Sequence, residues 1–266
     1  MEEIRKLFPY LKSGQIYFNH ASVGALPVPV VERINSHLAI RSEGEISNFE
    51  DMMRYGAEGK KKIARLINAD GARVSWCENV SHAISMLAQG LEWKPGDRII
   101  LNDIEFPSNV YPFMVLREQG VEIDFAKSRN GMVDVEDIEK LITPRTKLVS
   151  ISMVQFISGY RADVNAIGEL CRKNGIIYCV DVIQAGGNVR IDVQEMKADF
   201  AAGGTHKWLL GMQGLGYFYI TEELQSRVKQ KIVGWTSVED PWNMLDYNLT
   251  LLKGAESFQT GTYNDI

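Results

Sequence analysis

A lysine enclosed by glycines and a histidine, with an aspartate closing an apolar run upstream, is the arrangement in this chain best suited to do chemistry. Lys207 stands in Gly203-Gly204-Thr205-His206-Lys207-Trp208-Leu209-Leu210-Gly211, and Asp181 ends Ile176-Ile177-Tyr178-Cys179-Val180-Asp181. Most lysines are solvated surface charges. A lysine beside a histidine, among glycines that let backbone approach closely, is placed instead to react through its amine with a carbonyl. An aspartate at a strand end is the partner that a pyridinium nitrogen requires. Together the two residues imply pyridoxal 5'-phosphate (PLP) carried on Lys207 as a Schiff base.

Other residues can be arranged around this pair. Glu78-Asn79-Val80-Ser81 joins a strand to a helix. Free N–H groups, the positive helix end and the Ser81 hydroxyl make that turn a phosphate cradle, although plain capping gives the same pattern. Phe106, in Glu105-Phe106-Pro107-Ser108-Asn109, either lies flat on the cofactor ring or belongs to the core. Gln155 and Gln184 are both candidates for the ring hydroxyl, and either is equally a buried amide satisfied by backbone. His206 adjoins the lysine. His20 and Ala21 lie in a glycine-containing loop, Asn19-His20-Ala21-Ser22-Val23-Gly24, that is a candidate lining of a substrate pocket.

The elements that must hold these residues alternate. A helix opens at Pro27 and Pro29, where the first helical turn tolerates proline. An amphipathic helix runs from about Phe49 to Ile67. Val74-Ser75-Trp76 reads as a strand, and Asn79 caps a helix with Ala83, Ile84, Leu87, Ala88 and Leu91 at helical spacing. Strands are read at Arg98–Leu101, Val121–Ala126, Lys147–Met153, up to Asp181, Asp199–Ala202 and Tyr217–Ile220. Helices are read at Ser108–Gln119, after Asp134, and from Asp163 to Lys173, where Gly175 ends the last. After Trp235 the pattern is irregular. Strands separated by helices predict right-handed crossovers and a mostly parallel sheet with ligands beyond its carboxyl ends. The fold class is therefore α/β, a three-layer arrangement with helices flanking the central sheet.

Composition narrows the function. The 266 residues suffice for one large domain, and a net charge of −5 gives no footing for nucleic acid or anionic membrane. No apolar run reaches a membrane-spanning length, and the first residues carry no signal core. Cys77, Cys171 and Cys179 are odd in number and lack CxxC spacing. That argues against a disulfide framework and against a metal site, and for a reducing, cytoplasmic compartment.

Five segments, in chain order, carry a resemblance to a known family: Tyr17-Phe18-Asn19-His20-Ala21-Ser22, Asn79-Val80-Ser81-His82-Ala83-Ile84, Val180-Asp181-Val182-Ile183-Gln184-Ala185, Thr205-His206-Lys207-Trp208 and Thr260-Gly261-Thr262-Tyr263-Asn264. On them the chain resembles the class V aminotransferases, fold type I PLP enzymes that include cysteine desulfurases, selenocysteine lyases, kynureninases and isopenicillin N epimerases. The resemblance implies a PLP-dependent transferase-like large domain over residues 16–266 after a short segment, 1–15, with the family's C-terminal small domain absent. It implies that Lys207 carries the cofactor and moves the substrate's α-proton, that Asp181 holds the pyridinium, and that Gln184 meets the ring hydroxyl. The Val80 N–H, Ser81 and His206 would hold the phosphate, and Thr262 would be lent by the second subunit of a homodimer. The implied substrate is a small amino acid. Two departures, Phe106 where desulfurases stack a histidine and Gln155 where an asparagine is common, weaken a desulfurase or selenocysteine lyase reading. A PLP-binding chain without turnover is the rival outside enzyme function.

Overall fold

The computed structural model describes residues 2–44, 46–47 and 49–264. Met1, Asp265 and Ile266, at the ends of the two expected segments, lie outside the described residues. In chain order the regular elements are α1 (Glu2–Lys6), α2 (Val28–Glu43), α3 (Phe49–Leu66), β1 (Val74–Cys77), α4 (Val80–Gly90), β2 (Arg98–Asn102), α5 (Tyr111–Met114), β3 (Glu122–Ala126), α6 (Val135–Glu139), β4 (Thr146–Ser152), α7 (Val164–Asn174), β5 (Ile177–Asp181), β6 (Phe200–Gly204), β7 (Gly216–Ile220) and α8 (Glu222–Arg227).

The strands form one seven-stranded sheet in the order β1-β7-β6-β5-β4-β2-β3. Neighbours are parallel except at β7, which runs antiparallel to both β1 and β6. Reversal at β7 needs no crossover helix, because the chain turns back through the loop after β6. All the other strands therefore end on one edge of the sheet. Cys77, Asn102, Ser152, Asp181 and Gly204 are the last residues of five of them, and Gly216 begins β7 on that same edge.

Period-two alternation along each strand builds two cores, one per face. Ile100, Val149, Ile151, Tyr178 and Val180 pack on one side with Ile63 and Ile67 around α3 and Ile167, Leu170 and Cys171 of α7. Ile99, Leu101, Leu148, Ile177 and Cys179 pack on the other with Ala83, Ile84 and Leu87 of α4. Each fully buried aliphatic side chain contributes roughly 1.5–3 kcal/mol relative to exposure. Burial on both faces makes the central strands continuous apolar runs, as parallel sheets require.

Local signals set the helix ends. The Asn79 side chain accepts from the His82 N–H, Asp163 accepts from the Ala166 N–H, and Gly175 closes α7 at φ 66°. The long helix expected over Ser108–Gln119 is corrected: the segment is a 3-10 turn at Pro107–Asn109, the one-turn α5, and a 3-10 stretch at Val115–Gln119. Pro107 and Pro112 lack the N–H groups a continuous helix needs, and Val110 sits outside helical geometry at φ −122° and ψ −57°.

Candidate active site

The strand ends converge on a cavity of about 430 Å³. Lys207, Asp181, His206, Phe106, Val80, Ser81 and Ala21 all line it, so sequence candidates more than 180 positions apart are brought together. Three strands position the chemistry. Asp181 ends β5, Lys207 follows β6, and Val80 and Ser81 open α4 immediately after β1.

Asp181 is 2% exposed. Its Oδ1 accepts from the Ile183 N–H at 2.8 Å, and its Oδ2 is buried with no hydrogen-bond partner among the described residues. Burial pushes the carboxyl up to about 7; the Ile183 hydrogen bond opposes this, the nearby Glu105 charge adds to it, and Lys207 opposes it. An orphaned, buried carboxylate oxygen calls for a donor that carries positive charge.

Lys207 is 6% exposed, and burial lowers its pKa while Asp181 works the other way. Its Nζ lies 5.3 Å from the centroid of the Phe106 ring. Phe106 is 39% exposed at this cavity and meets Phe156 edge to face at 5.1 Å, so it lines the cavity and is not a core residue. His206 is shifted down by burial and by Lys207, which favours a neutral imidazole.

The N-terminal end of α4 opens at the cavity wall, where Val80 and Ser81 line it. First-turn N–H groups have no intrahelical acceptor, and the helix end carries partial positive charge. Ser81 Oγ donates to Ser108 Oγ at 2.7 Å, which sets two hydroxyls side by side at the cavity wall. Ser108 escaped the sequence reading although it lies in the quoted Phe-Pro-Ser-Asn segment. The signal was a second hydroxyl after a strand end.

Four other candidates lie outside the cavity lining. Gln184 donates from Nε2 to the Ala21 carbonyl at 2.9 Å and accepts from Trp208 Nε1 at 2.8 Å. His20 stacks on Trp208 with centroids 5.1 Å apart. Both therefore clasp the loop around Ala21 to the loop that carries Lys207. Gly24 completes the clasp: its N–H donates to the His206 carbonyl, and a Cβ there would lie 2.1 Å from the Lys207 carbonyl oxygen. Gln155 is 1% exposed and donates from Nε2 to Glu105 at 2.8 Å. Thr262 lies against a separate groove with Cys77 and Glu78.

The three thiols are free and buried, and burial pushes each up to about 12. They behave as small hydrophobes. No group of acidic, histidine or cysteine side chains among the described residues could hold a metal ion. None of the described helices is long and apolar enough to cross a membrane.

Comparison with known proteins adds four findings. A family model described as Aminotransferase class-V matches residues 16–264. A probable cysteine desulfurase of Methanothermobacter thermautotrophicus is 31% identical over 272 residues, covering 99% of this chain and 66% of the relative. The chain thus spans about two thirds of that relative's length. Among solved structures, the apo cysteine desulfurase of Thermococcus onnurineus NA1 superposes with a TM-score of 0.87 at 28% identity, covering 99% of this chain and 67% of the other. A C-DES mutant with glycine covalently linked to its PLP cofactor superposes with a TM-score of 0.87 at 23% identity, covering 97% and 69%, a likeness of fold.

Proposed function

The chain belongs to the class-V aminotransferase family, and on that premise we propose that it binds PLP at Lys207 and acts on a small amino acid. The observation that carries this reading is the buried, unpartnered Asp181 Oδ2 in one cavity with Lys207, Phe106 and the open end of α4. The fit is chemical. A protonated pyridine N–H is the cationic donor that the orphaned oxygen lacks, the Phe106 ring offers a face for an aromatic ring, and the helix end with Ser81 and Ser108 suits a phosphate. When bound, PLP supplies an aldehyde that condenses with amines and a ring that draws electron density from the substrate's α-carbon.

The chain's own residues do the rest. A buried Lys207 with a lowered pKa has more of its amine neutral, the form that attacks a carbonyl. The same Nζ would take the proton from the substrate's α-carbon and return it. Asp181 would keep the ring nitrogen protonated. Val80, Ser81 and His206 would orient the phosphate end, Gln184 or Gln155 would meet the ring hydroxyl, and the amides of both tie the surrounding loops together.

Borohydride reduction of the PLP-treated protein followed by peptide mapping tests the reading. The label is expected on the peptide that contains Lys207. Labelling of Lys173 or Lys197 in its place rejects the assignment. Cofactor absorbance without α-proton exchange would favour a binding protein without turnover.

Desulfurase-type chemistry is the second reading, favoured by the 31% identity to a probable cysteine desulfurase. It requires a thiolate nucleophile, and Cys77, Cys171 and Cys179 are all buried with thiols held protonated. A cytoplasmic location is proposed on the odd number of cysteines and their lack of CxxC spacing.

We further propose a homodimer with Thr262 lent to the partner's phosphate subsite. Thr262 does not line its own chain's cavity, and the nearby segment exposes Leu245 by 85% and Tyr247 by 91%. An apolar stretch of that kind is a common mark of a protein interface. Sedimentation at micromolar concentration is expected to give a dimer, and Thr262→Ala to weaken PLP binding several-fold. A monomer whose affinity is untouched by the substitution would rule out the shared site.

A further inference from the structure

Behind the cavity stands a buried carboxylate to which no step has been assigned. Glu105 is 8% exposed and accepts from five donors. Its Oε1 receives Asn102 Nδ2 at 2.5 Å, the Ser152 backbone N–H at 2.7 Å and Gln155 Nε2 at 2.8 Å. Its Oε2 receives Asn109 Nδ2 at 3.1 Å and Ser152 Oγ at 2.5 Å. All five donors are neutral. A charge buried without a counter-ion is costly, and full saturation by hydrogen bonds is what makes it tolerable.

The donors come from every segment that frames this side of the site. Asn102 ends β2, Asn109 lies in the 3-10 turn, Ser152 ends β4 and Gln155 follows it. Ser152 pairs with Asp181 in the β4–β5 ladder, and the Met153 N–H donates to the Asp181 carbonyl at 2.9 Å. Ser150 Oγ braces the same turn by donating to Asn109 Oδ1 at 2.5 Å. Phe106 follows Glu105 directly. The position of the aromatic platform is therefore set by a residue whose side chain is tied to the strand beside Asp181.

We propose that Glu105 is a positioning residue for the Lys207 site, locking the ends of β2 and β4 together so that Phe106 and Gln155 are held in fixed places beside Asp181. This rests on the PLP reading above. A carboxylate is the group the position demands, because it accepts at both oxygens and donates at neither. A glutamine there would turn an NH2 group toward donors on one side. The Gln155 amide is oriented by the same contact: its N–H faces Glu105, which leaves its carbonyl oxygen as a buried acceptor without a partner among the described residues.

The test is PLP titration of the whole chain, read by the affinity and by the visible circular dichroism of the bound cofactor. Glu105→Gln is expected to weaken binding about ten-fold or more and to alter the dichroic band. Its effect on affinity should shrink by at least half in a Phe106→Ala background, since part of it acts through that ring. Ser152→Ala removes one donor and no charge, and is expected to weaken binding about three-fold with the fold retained. Unchanged affinity and an unchanged band in folded Glu105→Gln overturn the proposal, as does full additivity with Phe106→Ala. Should Glu105→Gln not fold, the same two readouts unchanged in Ser152→Ala overturn it. Absence of PLP binding by the parent chain would reject the function reading itself and this inference with it; binding by the parent with indifferent variants rejects this inference alone.

Discussion

Lys207→Ala is expected to lower α-proton exchange by about 10³-fold or more while the protein stays folded. A positioned general base is typically worth 10²–10⁴-fold, and this lysine is also the proposed anchor of the cofactor. The readout is deuterium incorporation at the α-carbon of a small amino acid in D2O, followed by proton NMR in the presence of PLP. Retention of the fold follows from the energetics of the site. The wild-type amine is buried, and its desolvation already works against its charged form. Truncation removes that penalty. The variant gives up an attraction to the Phe106 ring from 5.3 Å, worth about 0.5–2 kcal/mol as a cation–π pair, and an attraction to Asp181 that is smaller than the desolvation opposing it. Small primary amines should restore part of the exchange, because the missing group is a base of modest size next to an open cavity. Exchange within ten-fold of wild type would show that the proton moves by another route.

Lys207 and Asp181 were legible because their signals are local: a glycine-framed lysine and an apolar run that stops at an acid. Val80 and Ser81 were legible through Asn79, whose cap fixes where α4 begins. What the sequence hid is long-range. Glu105 carries no local signal of its own, and its partners Ser152 and Gln155 lie 47 and 50 positions on. Gln184 reads equally as a ring contact or as an amide satisfied by backbone, and the Ala21 carbonyl that accepts from it lies 163 positions earlier. Each is a polar side chain whose role is decided by partners, and no spacing rule names partners at that distance. The Ser108–Gln119 helix failed for a local reason that was open to view: Pro112 sits four positions into it.

Asp181→Asn separates holding the cofactor from using it, and gives a second signature in the protein alone. In the loaded protein the neutral amide cannot keep the ring nitrogen protonated. The loss of an ionic partner is a matter of a few kcal/mol, so α-proton exchange should fall by about 10²-fold or more with PLP still bound. In the cofactor-free protein the sign reverses. Burial raises the folded-state carboxyl from 3.8 to about 7. A carboxyl raised in the folded state stabilises fully below its unfolded pKa, and that contribution is lost as pH climbs through the folded value. The whole window is worth on the order of 4 kcal/mol, of which roughly 2 falls between about pH 5.5 and 8. Asparagine does not titrate, so the variant should gain on wild type across that interval and hold a constant lead above it. Urea unfolding of both apo-proteins at several pH values measures the gap directly. A pH-independent gap would mean that Asp181 is ionised and already satisfied without a cofactor, and near-normal exchange in the loaded variant would mean that it is no more than a strand-end charge.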